Sequence, residues 1–209
     1  MKYNILAAAL IIFCLSCSDD EASLMTPHNY VPMAIGNYWI YQTHIIKLVG
    51  TETLHPKMDS VVITGDSIIN GMNYYVYEGT DFISKEWRIL ALRRADGDDI
   101  IDPEGLTHFS STNFSDTLYR YTIEPRTGEW ICIDYRMHDS PEQIEVPAGE
   151  FDVLDYRGSF QTNIPTPYPL PRFIHNYYSS DVGLVLRNTF LFSSGTTIEE
   201  RLVRYSVQN

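Results

Sequence analysis

The chain is short of cysteine, of positive charge and of long apolar runs, and each shortage removes a class of protein. Of its three cysteines, Cys14 and Cys17 stand near the start and only Cys132 lies beyond them. A domain that follows Cys17 therefore has no cysteine pair for an internal disulfide. Lys and Arg number 15 against 27 Asp and Glu, a formal net charge of −12 with His neutral. That balance repels phosphate backbones and argues against nucleic acid as a partner. The apolar run Ile5–Phe13 has nine residues, whereas a helix needs roughly 20 to span a bilayer. The six histidines (His28, His44, His55, His108, His138 and His175) are scattered, with no His-x-x-x-His pair. With Cys132 the single candidate thiolate, no metal site is expected, and no cofactor is implied. Sustained helical spacing over a dozen residues is also missing.

What is present begins with an address. Lys2 followed by Ile5–Phe13 has the charge and length of a signal peptide. Leu15-Ser16-Cys17 resembles the lipobox of a bacterial lipoprotein, cut before Cys17, although Cys14 stands where such signals usually carry Leu. A cut before Cys14 would need bulky Phe13 at the small-residue position. The expected organisation is a signal peptide at 1–16, a lipidated Cys17 with a polar tether at 17–30, and one β-domain at 31–209. Ser18-Asp19-Asp20-Glu21 resembles the signal that sends some Gram-negative lipoproteins to the outer surface; its plainer reading is a solvated tether. The resemblance implies a lipid-anchored protein of the outer membrane, exposed at the cell surface, whose membrane partner is reached through more than one acyl chain.

The mature chain, about 193 residues from Cys17, is large enough for one well-cored domain. The full sequence carries 13% aromatics, including 15 Tyr, and regular Gly and Pro punctuation, a mixture that suits an all-β domain. Strands are expected at Tyr38–Lys47, Asp59–Thr64, Tyr74–Tyr77, Trp87–Arg94, Ile100-Ile101, Thr117–Ile123, Glu129–Met137, Gln143–Val146, Phe151–Phe160, Phe173–Ser179, Leu184–Phe192 and Thr196–Val207. Asn70-Gly71 is a hairpin signal, because both residues accept positive φ, and Ala95–Asp98 and Pro147-Ala148-Gly149 mark two more turns. In Thr117–Ile123 the alternation predicts a half-exposed strand, with Tyr119, Tyr121 and Ile123 on one side. About ten strands curl or close to protect their edges. The expected fold is a single antiparallel meander forming a strongly curved sheet, a half-barrel or a barrel.

Several segments together resemble a family of uncharacterised Gram-negative surface lipoproteins: VPMAIGNYWIY at Val31–Tyr41, GDSIINGMNYYVY at Gly65–Tyr77, EVPAGEFDVLDY at Glu145–Tyr156 and YSSDVGLVL at Tyr178–Leu186. The resemblance implies antiparallel half-barrels and, because the family has no established activity, adds little about function. Each motif also reads simply as a turn plus a strand.

Candidate chemistry is sparse. Gly65-Asp66-Ser67-Ile68 resembles the nucleophile block of GDSL-type esterases, but the companion Gly-x-Asn-Asp and Asp-x-x-His blocks are missing, and a turn is the preferred reading. Asp96, Asp98, Asp99, Asp102 and Glu104 could offer oxygens to calcium, yet the spacing is not that of an EF-hand loop. His138-Asp139 could pair a base with its orienter, but neighbours on a strand face opposite ways. Cys132 reads as a small buried hydrophobe. The Pro-rich stretch Ile164–Phe173 reads as a stiff connector. Asp59-Ser60-Val61, Asp66-Ser67-Ile68 and Asp116-Thr117-Leu118 resemble the O-glycosylation acceptor of some Gram-negative bacteria, making Ser60, Ser67 and Thr117 candidate sites.

Tyr75, Tyr77, Trp87, Tyr119, Tyr121 and Trp130 fall at strand-alternating positions. They are either core rings or the lining of a face that holds an apolar ligand or a glycan. The leading expectation is a non-enzymatic ligand-binding lipoprotein. A structural or assembly protein docking onto another envelope protein comes second, and a hydrolase third.

Overall fold

The computed structural model describes residues 29–82, 86–192 and 194–208. The leader, Cys17 and most of the expected tether lie outside them. Thirteen strands form one sheet: β1 (Tyr38–Ile46), β2 (Glu52–Ile69), β3 (Met72–Gly79), β4 (Arg88–Asp96), β5 (Asp99–Ile101), β6 (Thr107–Ser110), β7 (Tyr119–Ile123), β8 (Ile131–Val146), β9 (Gly149–Thr162), β10 (Arg172–Ile174), β11 (Asn176–Ser179), β12 (Gly183–Phe190) and β13 (Thr197–Ser206). The order is β6-β5-β4-β3-β2-β1-β13-β12-β11-β9-β8-β7, with β10 beside β9. All pairings are antiparallel. No described residue is helical.

The sheet curls until its two ends meet. From β9, the Tyr156 hydroxyl donates to the Thr107 carbonyl on β6 at 3.1 Å. The rings of His108 on β6 and Tyr119 on β7 stand 5.5 Å apart. The result is the expected all-β, strongly curved antiparallel sheet, close to a closed barrel. Near-closure shelters the two short edge strands from pairing with other chains.

Turn chemistry explains the hairpins. Asn70 and Gly71 have φ of 52° and 79°, the positive values that a two-residue turn matched to strand twist requires. Val146 pairs with Gly149, which leaves Pro147-Ala148 as the turn between β8 and β9. Two glycines permit close approach. A Cβ on Gly79 would lie 1.8 Å from the Ser60 carbonyl oxygen, and one on Gly158 would lie 2.7 Å from the Tyr135 ring.

The structure corrects several expected elements. β2 begins at Glu52, well before Asp59, because its ladder with β1 steps from Gln42↔Met58 to His44↔Leu54. That step accommodates Pro56, which cannot donate to a ladder, at a bulge. Gly65-Asp66-Ser67 is not a turn: the register shifts between Ile63 and Gly65, and Asp66 and Ser67 then pair with Tyr75 and Tyr74. Glu129–Met137 and Gln143–Val146 merge into β8 across a shift between His138 and Glu142. Phe173–Ser179 divides at His175 into β10 and β11. β6 has no counterpart among the expected strands, since four residues, THFS, are too short for alternation to show. Most of β7 is exposed on both faces because it is an edge strand. Cys132 is only partly buried, its Sγ beside the Thr122 hydroxyl at 3.5 Å.

The core fills the inner side of the curve. Trp39, Tyr41, Ile63, Val185 and Leu202 form one cluster, and Ile100, Phe109, Met137 and Tyr156 form another. Each fully buried large aliphatic or aromatic side chain contributes about 1.5–3 kcal/mol by leaving water.

Candidate functional site

A cavity of about 230 Å³ lies against the inner face, between the two core clusters. Alternation on β1 turns Trp39 and Tyr41 inward, and each is pinned by its polar tip. The Trp39 indole N–H donates to the Val182 carbonyl at 2.7 Å, and the Tyr41 hydroxyl donates to the Leu184 carbonyl at 2.8 Å. Tyr77 on β3 stacks near Trp39, with ring centres 6.3 Å apart and planes at 19°. Tyr178 on β11 packs on Phe109 at 4.5 Å. The segment Tyr30-Val31-Pro32 completes the wall. It is tied down by the Asp181 N–H donating to the Asn29 carbonyl at 2.7 Å and by the Asn37 amide donating to the Pro32 carbonyl at 3.0 Å.

Two arginines enter this aromatic setting, and they differ. Arg187 is gripped by Glu200, its Nη2 donating to Oε1 at 3.0 Å while Nε meets Oε2. Burial alone would lower the Arg187 pKa, but the Glu200 carboxylate overrides it and holds the guanidinium above its usual range. Arg93, on β4 opposite Tyr75, has no carboxylate partner among the described residues. Its one hydrogen bond runs from Nη1 to the neighbouring Leu92 carbonyl at 2.9 Å. Asp102 is near enough for Arg93 to help lower its pKa, yet its oxygens are already engaged. Oδ1 accepts the Glu104 and Leu106 N–H groups at 3.0 and 2.9 Å, and Oδ2 meets His108 Nε2 at 2.7 Å. The hydroxyls of Tyr77 and Tyr178 make no hydrogen bond among the described residues. Burial pushes both pKa values up, so both remain protonated donors at neutral pH.

A second polar cluster sits on the opposite face of the sheet. Asp155 pairs with His138 on one side and Tyr177 on the other, so three adjacent strands align their side chains. Asp155 is fully buried. Its Oδ2 accepts Arg157 Nε at 2.8 Å and lies 2.8 Å from His175 Nδ1. Arg157 also donates to His138 Nε2 at 2.9 Å and reaches Glu142 at 3.6 Å. The Tyr177 ring stacks on His175 at 5.3 Å, and its pKa is raised by burial and by Asp155. A buried carboxylate against an imidazole has the shape of a base and its orienter. Among the described residues, however, no Ser, Thr or Cys side chain is hydrogen-bonded to His175.

Of the six aromatic residues singled out from sequence, Tyr77 lines the cavity and Tyr75 packs against the adjoining core cluster. Tyr119 stacks on Tyr135 at 5.7 Å, which stacks on Tyr156 at 5.1 Å. Trp87, Tyr121 and Trp130 are exposed. Ser60 and Ser67 are half-buried within β2, while Thr117 is exposed and accepts a hydrogen bond from Arg136. The described residues contain no group of three or more His, Cys, Asp or Glu arranged to hold a metal. Asp96 of the acidic hairpin pairs with Arg94 at 2.9 Å.

Sequence reasoning missed Arg93, Arg187 and Tyr178 in the cavity. Their strands are far apart along the chain, and only the β1–β13 pairing brings the two halves together. It also missed the pairing of Asp155 with His175, which are separated by 20 residues. The inward alternation of Trp39 and Tyr41 was the usable signal.

No family model and no curated protein matches this sequence. Two solved structures align with it. One is a "putative exported protein with YmcC-like fold" from Bacteroides fragilis, at 10% identity and a TM-score of 0.44, covering 86% of this chain and 99% of that one. The other is a "putative lipoprotein" from Parabacteroides distasonis, at 12% identity and the same TM-score of 0.44, again covering 86% and 99%.

Proposed function

We propose that this chain is a lipid-anchored protein of the outer membrane, exposed at the cell surface, whose β-domain holds a small ligand without transforming it. Cys17 is the anchor, and the acidic run behind it supports surface export. The observation that carries the binding role is the cavity itself, where, among the described residues, Arg93 has no carboxylate partner and the Tyr77 and Tyr178 hydroxyls make no hydrogen bond. Pre-formed apolar pockets with a few converging polar groups are where small molecules bind. The test is a native mass spectrum of the full chain, gently extracted in detergent from its own membrane. An adduct that leaves on denaturation is expected; a bare mass in repeated preparations would remove the binding role. The same spectrum reads glycosylation, for which Thr117 is the most accessible of the three acceptors.

One observation favours docking onto an envelope protein as a second reading. The β1–β2 hairpin exposes Leu48, Val49, Leu54 and Met58, each more than half accessible. A cluster of this kind marks a contact surface more often than scattered apolar residues do. Cross-linking from Val49 in intact cells tests it.

A further inference from the structure

We infer that the cavity takes a small aromatic carboxylate, with Arg93 as its counter-ion and the Tyr77 and Tyr178 hydroxyls as donors to the same anionic head. This rests on the ligand-binding reading above and specifies its chemistry.

Charge selects the class. Arg187 is neutralised by a two-point contact with Glu200, so it adds little net field. Arg93 is a permanent cation with no carboxylate partner among the described residues. Asp102, which feels it, has both oxygens occupied by His108 and two backbone N–H groups. A half-buried cation without an anion is costly, and an anionic ligand removes that cost. Arginine also offers a planar fork that matches a carboxylate. The tyrosines add donors on the same side: both guanidinium groups lie close enough to Tyr178 to oppose the rise that burial gives its pKa.

Size selects the body. A cavity of about 150 Å³ accommodates benzene. Of the 230 Å³ here, the remaining ~80 Å³ is roughly the room of three water-sized atoms, the number in a carboxylate. Trp39, Tyr41 and Tyr77 supply aromatic walls beside which one ring can lie.

The probes are benzoate and its neutral analogue benzyl alcohol, titrated calorimetrically into the full chain in mild detergent. The expected result is benzoate binding about tenfold or more tighter than benzyl alcohol, as a charge-assisted hydrogen bond confers. Arg93→Met should erase that preference, and Tyr178→Phe should weaken benzoate alone by a smaller factor. The benzoate-to-alcohol ratio on the unaltered protein needs no variant to fold. Equal binding of the two compounds overturns the anion assignment and leaves the cavity as a ligand site. Binding of neither overturns the proposal, and the native mass spectrum then decides the ligand-binding reading separately.

Discussion

The two faces of this sheet treat polar side chains in opposite ways. Outside, Asp155, Arg157, His175, His138 and Glu142 are joined to one another across β8, β9 and the link between β10 and β11. Inside, among the described residues, Arg93 has no carboxylate partner and the Tyr77 and Tyr178 hydroxyls make no hydrogen bond where they face a hollow. Groups joined to each other hold strands in register but have little left with which to bind. Groups left apart lower the stability of the empty protein and retain their interaction energy for something that arrives. The contrast assigns structure to the outer cluster and recognition to the inner one.

The largest expected effect lies outside. Asp155→Ala leaves Arg157 and His175 without their shared acceptor, and breaking a buried charge pair costs about 3 kcal/mol. For a domain of this size that lowers Tm by about 6–12 °C, read by thermal melting followed by circular dichroism. A loss near zero would mean that the network merely occupies a surface that packing alone holds together.

Arg93→Met should behave in the opposite sense. It removes a cation that lacks a partner and adds apolar surface facing aromatic rings, so stability in urea should stay level or rise by up to about 1 kcal/mol. A loss comparable to that of Asp155→Ala would show that Arg93 is structural and would collapse the distinction between the faces.

How much of this was legible in the sequence follows from the range of each interaction. Asn70-Gly71 and Pro147-Ala148 are local, and they placed hairpins correctly because two residues determine a turn. Trp39 and Tyr41 alternate along β1, but that spacing alone did not single them out as facing a cavity. The bulges at Pro56 and Gly65 were not legible, since a proline or a glycine in a β-rich run signals a break as readily as a bulge. The cavity was least legible of all. Arg93 and Tyr178 meet only because β1 pairs with β13 and the sheet curls, a consequence of long-range register that no local pattern encodes. Trp87 and Trp130 had suitable spacing but occupy positions beside β4 and β8 where the curve gives them no cover.

Those exposed aromatic residues supply a smaller test. Tyr121→Ser and Trp130→Ser should each change stability by no more than about 0.5 kcal/mol and leave benzoate affinity unchanged. A marked loss of affinity from either would extend the site to the outer edge of β7 and β8.

The smallest effect concerns the seam where β6 meets β7, because it acts over only part of the pH range. Burial and the nearby Arg93 hold the His108 pKa below its usual 6.5, against the pull of Asp102. Burial opposes charge on Asp102, but His108 and the Leu106 N–H more than offset that and hold the Asp102 pKa below 3.8. In both cases the unfolded chain takes up a proton before the folded one does, so stability rises with pH. The His108 contribution is complete above its unfolded pKa and is lost as pH falls through the folded value; the Asp102 contribution is lost only further into acid. Urea midpoints measured from pH 7.5 down to about 4.5 should therefore decline, and His108→Gln should flatten that slope. An unchanged slope in the variant would mean that protonation of His108 is as favourable in the folded state as in the unfolded one. The cation beside it would then be screened, and Arg93 would have less charge to offer a ligand than its lack of a partner suggests.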